Sequence, residues 1–471
     1  MKVLATAFAG ICFAVLAAAQ DTRKVVEPAI PPACATLQAK IGRAARSIAP
    51  EDESKLDTAR IQAALDACPA GRAVVLERAS ERTDAFLSGP LDLRRGVALV
   101  VARGAYLFAS RNPRDYDRRP GACGTITEDG HGCKALIDGD GVAGAGVMGD
   151  GVIDGRGGET ILGQSVSWWN LADMARAGGS QNNPRLIELR RCDSFTLYRI
   201  TLMNSPNFHV GYSGGNGFTA WGVRIWSPER ARNTDGIDPG NSTNVTITHC
   251  YIHTGDDQVA IKAPAGAPTT HMSLVHNHFY TGHGMSIGSP TDGGASAIRV
   301  ADLSIDGADN GLRIKSNITR GGLVDDVVFE DVCIRDTANP ILMDTNYSAH
   351  VSQENGKPPV FRHIVVRNVR VEGGGTVTLE GLDAAHRLGI QFDGVVFDDP
   401  ASIQVSAKHA EVGIGPGAFN LNVTGTDVTV SGSAGKSVKN ACTGKFVDFP
   451  SAVTSRQAGH ARPPTAGGWA L

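Results

Sequence analysis

Asn233-Thr234-Asp235-Gly236-Ile237-Asp238, Gly255-Asp256-Asp257, Gly282-His283-Gly284 and Arg313-Ile314-Lys315 are four short polar clusters strung along one stretch of the chain. Between them run β-prone segments such as 245–252 and 272–279. The clusters recur roughly every 21 to 30 residues, a spacing typical of repeat architectures. If each spacing is one turn of a coiled sheet, all four stack on one side. Three carboxylates, one imidazole and two cations then converge from distant sequence.

The period continues outward from this stretch. Strand-like runs begin near Phe195, Phe218, Val245, Met272, Ile298, Leu323, Phe361, Ile390 and Phe419, about 23 to 38 residues apart, as in solenoids. Each alternates apolar and polar residues, as Val245-Thr246-Ile247-Thr248 does, or carries paired apolar motifs such as Val327-Val328-Phe329 and Val332-Cys333-Ile334. Gly, Asn and Asp mark the turns, and the absence of a helix within each period argues against a βαβ repeat. The chain therefore reads as all-β: a right-handed single-stranded parallel β-helix of about ten coils, with apolar side chains inside and like residues stacked from coil to coil.

Other segments read differently. Residues 57–68 form an amphipathic helix with Asp57 or Thr58 as its cap and Ile61, Leu65 and Cys68 on one face. A short helix ahead of a long strand-rich region serves to cap the first coil and block edge-to-edge pairing. Residues 111–132 are a polar loop, and 168–183 a second insertion holding one short helix. Trp168 and Trp169 in it are read as loop packing in preference to sugar stacking. Residues 1–19 read as a secretory signal, with Lys2, the apolar run 3–16 and Ala17-Ala18-Ala19 before the cut. The apolar run is too short to span a bilayer comfortably. Residues 20–33 follow as a flexible lead-in, 34–449 as the β-helix catalytic domain, and 450–471 as a disordered tail. The expected location is outside the cytoplasm.

Composition narrows the classes. The chain has 471 residues, 57 glycines, 42% hydrophobic and 6% aromatic residues, enough apolar material for a long core and a bias toward strands and turns. A net charge of -3 gives no global attraction to nucleic acid or anionic membrane, so an anionic substrate must be held by local cations. Of nine cysteines, Cys12 lies in the leader; Cys34, Cys68, Cys123, Cys133, Cys192, Cys250, Cys333 and Cys442 remain, an even set that suggests disulfides in an exported chain. Cys123 with Cys133 is the best local pair, Cys34 with Cys68 can pin the N-terminal segment, and Cys192 and Cys250 in strand-like runs read as buried thiols. Their spacings do not resemble a zinc site, no motif requires a metal, and no cofactor is expected.

The chemistry follows from stacking. Asp235 and Asp256 lie one coil apart, about 4.8 Å on adjacent strands, and Asp257 joins them if the strand turns at Gly255. Three carboxylates so close cannot all ionise cheaply, so at least one is pushed toward its acid form. An acid beside an ionised carboxylate is the set used in glycoside hydrolysis. His283, between glycines and one coil on, can hold the acid in its proper protonation state. Arg313 and Lys315, two apart, face one side of a strand and suit a carboxylate-bearing sugar. Singly, an Asp pair is more often a solvated turn, a lone histidine structural, and Arg-x-Lys a solvated face. Their common order at coil spacing carries the reading.

These four motifs resemble those of the polygalacturonases, glycoside hydrolase family 28, and the resemblance extends over roughly 57–399. It includes Phe86-Leu87-Ser88-Gly89-Pro90-Leu91 and Asn204-Ser205-Pro206-Asn207-Phe208-His209-Val210. It is similar above all to the bacterial endo-acting members in Gly282-His283-Gly284-Met285-Ser286-Ile287-Gly288-Ser289. The resemblance implies hydrolysis of α-1,4 galacturonosyl linkages in de-esterified pectin with inversion. It makes Asp256 the general acid, has Asp235 and Asp257 activate water, and has His283 assist. Arg313, Lys315 and Tyr347 would contact the substrate, with His209 lining the groove. Close carboxylates generally accompany retention, yet this family inverts with close carboxylates, and the family pattern is followed here. Gln258 departs from the Asn or Cys of many members, which alters a local hydrogen bond or disulfide. The implied partner is polygalacturonate, with no nucleic acid or membrane, and the protein is expected to act as a monomer. Alternatives are an exo-acting member or a hydrolase of a related uronate polymer, a calcium-dependent pectate lyase of like architecture, and a non-catalytic polysaccharide-binding β-helix.

Overall fold

The computed structural model describes residues 20–348 and 357–450. The leader, residues 1–19, lies outside them, as does the tail from 451 onward.

Thirty strands join into one continuous sheet that winds back on itself. Every ladder between consecutive coils in it is parallel, as in Val245–Met272, Met272–Ile298 and Ile298–Val327. The chain is a parallel β-helix with three ladders. One climbs from Leu91–Asp92 through Ile237–Gly240, Val259–Ile261, Met285–Ile287, Asn310–Lys315 and Asn339–Asp344 to 403–408. This rise gives about the ten coils expected, and it is the ladder that carries the polar clusters.

The coil repeats because its side chains do. Leu197, Ala220, Ile247, Leu274, Val300, Phe329, Val366 and Phe392 occupy one register position in successive coils, and all are buried. Each such aliphatic side chain stabilises the fold by about 1.5–3 kcal/mol relative to exposure. Truncating Ile247 to Ala in this close-packed column would cost about 2–5 kcal/mol. The corner after this position needs a left-handed residue. It is filled by Gly222 and Gly394 (φ 64° and 73°) in two coils, and by His249, His276, Asp302 and Asn368 (φ 49–59°) in others. That turn bends the chain without ending it, so strands such as Thr269–Phe279 run through the corner from one ladder to the next.

The capping helix is present as α1, Thr58–Ala67, and buries Ile61 and Leu65 in the main core. Its cap chemistry differs from expectation. Asp57 makes no capping hydrogen bond and pairs with Arg60, while Thr58 Oγ1 accepts from Gly89 N at 2.8 Å. The short helix of the second insertion is α2, Trp168–Met174, closed by a Ser167/Asn170 capping box. Trp168 and Trp169 are buried, Trp168 edge-on to Tyr116, so they pack and do not present a stacking platform.

Three disulfides form among the described residues. Cys34–Cys68 and Cys123–Cys133 are the pairs read from the sequence, and Cys192 and Cys250 are buried thiols. The third, Cys333–Cys442, holds a C-terminal strap that runs back along the outside. Asn440 donates to Val332 O and Asn368 O, Lys445 pairs with Asp302, and Tyr280 donates to Val447 O.

The lead-in at 20–33, expected to be flexible, is a second strap. Asp21 is buried, its N–H donates to Ser273 Oγ and its carboxylate accepts from Thr246, while Arg23 reaches Phe218 O. Polar residues without periodicity look free in sequence. Here they find partners on the outer faces of coils more than 190 residues away.

Candidate active site

Five successive rungs of the polar ladder supply the site. Asp235 lies just before Ile237–Gly240, Asp256 and Asp257 before Val259–Ile261, and His283 before Met285–Ile287. Arg313 and Lys315 lie within Asn310–Lys315, and Tyr347 follows Asn339–Asp344. Asp235, Asp256, Asp257, His283, Arg313, Lys315 and Tyr347 are thus brought to one side of the helix.

The glycines about His283 are needed for close approach. A Cβ on Gly282 would fall 2.7 Å from Asp256 O, and one on Gly284 2.1 Å from Asn310 O; both residues have positive φ. The turn is then tied by Gln258. Its amide spans the coil, accepting from Gly284 N and donating to Tyr280 O, with its side chain fully buried. The position where the family pattern is broken therefore holds the histidine turn by hydrogen bonds.

Asp257 is the best-satisfied carboxylate of the group. It is buried, pairs with Arg313, lies 2.9 Å from Lys315 Nζ, and accepts from Ser286 Oγ at 2.8 Å. Burial alone would raise its pKa, but Lys315, Arg313 and Lys262 outweigh this and hold it far below the usual carboxylate range. Arg313 and Lys315 face the same side, as their spacing implies, and both are nearly buried on Asp257 in the free protein. The Tyr347 ring flanks Lys315, with Nζ 5.1 Å from its centroid.

Asp256 is more open. His283 Nδ1 lies 3.1 Å from its Oδ1, which also accepts from Asp257 N, and Asn233 N donates to Oδ2 at 3.3 Å. Burial pushes Asp256 up, yet the His283 hydrogen bond and the nearby cations leave it below its ordinary value. Burial likewise lowers His283, but Asp256 and Asp257 raise it overall, and its Nε2 faces Asp309 Oδ2 at 3.4 Å. The two shifts run in opposite directions and favour a proton on the imidazole over one on the Asp256 carboxyl.

The carboxyl pushed toward its acid form is instead Asp235. It is buried, its Oδ1 has no hydrogen-bond partner among the described residues, and burial followed by repulsion from Asp238 and Asp256 raises it well above the usual range. His209 does not line the groove. It is wholly buried, with Nδ1 on Asp235 O and Nε2 on Ser227 Oγ, and burial lowers it to about 4, so it braces the Asp235 backbone as a neutral ring.

Two members of the site escaped the sequence reading. Asp238 stands in the first polar cluster, and Lys262 is one rung on, its Nζ 3.4 Å from both Asp235 and Asp238. A signal for Lys262 existed: Ala260-Ile261-Lys262 repeats the Arg313-Ile314-Lys315 pattern, and Ile261 and Ile314 share one register column through Ile287. Asp256, Asp257 and His283 bring ligand-type atoms within 4.8 Å of one another, but Asp257 is already neutralised by Arg313 and Lys315.

The two insertions meet beside this site. Ile126–Thr127 pairs antiparallel with Ser180–Gln181, and Gln181 donates to Asn233 Oδ1 at 3.0 Å. They form a wall next to the first polar cluster.

Residues 120–414 match the model of glycosyl hydrolases family 28. The chain is 41% identical to a polygalacturonase of Ralstonia nicotianae over 91% of this chain and 92% of that protein. It is 42% identical to an endo-polygalacturonase of Pectobacterium parmentieri over 83% of this chain and 94% of that one. Among solved structures, the polygalacturonase from Erwinia carotovora ssp. carotovora superposes with a TM-score of 0.73 at 39% identity, covering 89% of this chain and 99% of that one.

Proposed function

The chain belongs to glycosyl hydrolases family 28 and is a glycoside hydrolase, and from that premise we propose that it cuts polygalacturonate internally, with inversion. The observation that carries the reading is the convergence of Asp235, Asp256, Asp257 and His283 on one ladder, with Arg313, Lys315 and Tyr347 on the rungs beyond. Endo-polygalacturonases about two-fifths identical to it support the internal mode of attack.

The geometry supports a division of labour. The proton of the Asp256–His283 pair is the one to pass to the leaving glycosidic oxygen, through Asp256 as general acid. Asp235 is the better base of the two remaining carboxylates. A raised pKa makes it a stronger proton acceptor, and it keeps an unpartnered oxygen, whereas Asp257 is spent on Arg313 and Lys315. Asp257 holds those cations in place and assists electrostatically. A galacturonate carboxylate entering beside Tyr347 would share Arg313 and Lys315 with it.

The same reading places the protein outside the cytoplasm as a monomer, after removal of residues 1–19. Three disulfides favour an oxidising compartment. Incubation with polygalacturonate followed by oligomer sizing tests the activity. Early mid-sized oligomers with rapid viscosity loss are expected, and monomer as sole early product would overturn the endo mode. Size-exclusion chromatography and fractionation of the producing cells test the other two points.

A further inference from the structure

Four carboxylates, three of them buried, meet Arg313, Lys315, Lys262 and the His283 imidazole in this cleft, and their pairing leaves a remainder. Arg313 and Lys315 are committed to Asp257, and His283 to Asp256. Asp235 and Asp238 are left with Lys262 alone, whose Nζ lies 3.4 Å from each. Asp238 is 6% exposed, and among the described residues its Oδ1 and Asp235 Oδ1 have no hydrogen-bond partner, while Asp238 Oδ2 has only the Lys262 ion pair. Two buried carboxylates that share one ammonium and leave two oxygens without a donor are costly. A single proton supplies the missing donor and balances two carboxylates against one cation.

We propose that Asp235 and Asp238 share one proton over Lys262, which makes Asp238 and Lys262 positioning residues that set the pH at which Asp235 is free to act as base. Asp238 faces Asp235 on its own coil, Lys262 and Asp257 on the next, and Arg185, itself paired with Glu188, on the coils before. It is flanked on its ladder by Gly211, in register with it, so no bulky side chain screens it there. Burial together with Asp257 raises Asp238 to about 6 against the pull of Lys262 and Arg185, consistent with a proton retained in this pair.

The step balances as follows. The water O–H bond breaks and its proton passes to Asp235, while the water oxygen bonds to the anomeric carbon. The glycosidic C–O bond breaks with its electron pair leaving on oxygen, which takes the proton held by Asp256 and His283. The Asp235–Asp238 pair then releases the proton taken from water to solvent, and the Asp256–His283 pair takes one up from solvent, which restores the starting enzyme. This role rests on the polygalacturonase reading above, but the proton count can be measured without substrate.

The test uses the intact enzyme with Asp238→Asn and Lys262→Gln. In Asp238→Asn a neutral amide replaces the competing carboxylate, so the acidic limb of the kcat profile should move down by about one pH unit. In Lys262→Gln the lost cation should move it up. Infrared difference spectra without substrate should show a protonated-carboxyl band titrating in wild type and titrating about one pH unit lower in Asp238→Asn. Opposite shifts of the two limbs distinguish charge control from simple damage to the fold. Limbs that stay put or move together, or a carboxyl band unchanged in Asp238→Asn, overturn the proposal. If Asp238→Asn does not fold, the wild-type infrared titration and Lys262→Gln still decide. A wild type without activity on polygalacturonate would remove the assigned substrate and leave the infrared result to stand or fall by itself.

Discussion

His283 Nδ1 and Asp256 Oδ1 lie 3.1 Å apart, one coil from each other, and neither group keeps its ordinary pKa: the imidazole is raised and the carboxyl lowered. The proton between them is therefore held more firmly than either group would hold it alone. With Asp256 as acid, Asp256→Asn is expected to lower kcat between about a hundredfold and ten-thousandfold while binding changes little. Turnover assays paired with calorimetric titration of an oligogalacturonate check this, and near-normal turnover would remove Asp256 from the role.

The same pair gives a pH prediction. His283 is raised above its unfolded value near 6.5, so its contribution to stability is full below that pH and fades as pH rises through the higher folded value. Asp256 is depressed, so its share is present above about pH 4 and fades on acidification through the folded value. Denaturant unfolding of wild type and His283→Ala should thus differ more at pH 5.5 than at pH 9. The alkaline limb of turnover should also fall earlier in the variant. A stability gap that widens toward alkaline pH would contradict the pairing.

Arg313→Ala strips Asp257 of one of its two close cations. At neutral pH this should destabilise the fold by about 3 kcal/mol, because a buried carboxylate is left short of charge. Asp257 is depressed in the folded state, so the loss should shrink in acid as the variant's carboxyl protonates. Urea unfolding at pH 7 and pH 4 measures it, and an equal loss at both would show that the ion pair is not its source.

Gln258→Leu removes the side chain that accepts from Gly284 N and donates to Tyr280 O. Leaving those buried backbone groups unpaired costs about 1–3 kcal/mol. Loosening the His283 turn should cut kcat more than it changes KM. A loss confined to KM would place Gln258 in substrate binding.

The repeat was legible because four successive coils of this ladder each show a short polar cluster, and apolar-polar alternation such as Val245-Thr246-Ile247-Thr248 recurs at the same spacing. The seven residues of the site followed from that spacing and from the motif match. Which of the three carboxylates is raised was not legible: it is Asp235, while Asp256 is lowered. Sequence gives the proximity of carboxylates but not which of them finds a cation, and His283 finds Asp256 while Asp235 shares Lys262 with Asp238. The two straps were illegible for a related reason. Asp21 and Asn440 sit in aperiodic segments whose hold comes from hydrogen bonds to remote coils.

One rung of the ladder separates Asp256 from His283, and two separate Asp257 from Arg313. Duplicating a single complete turn between 288 and 310 would leave the apolar interior continuous, yet lift Arg313 and Lys315 about 4.8 Å along the axis, beyond reach of Asp257. Turns added or removed outside the span 235–347 leave this cleft intact, while inside it the number of turns is fixed by the pairing of its side chains.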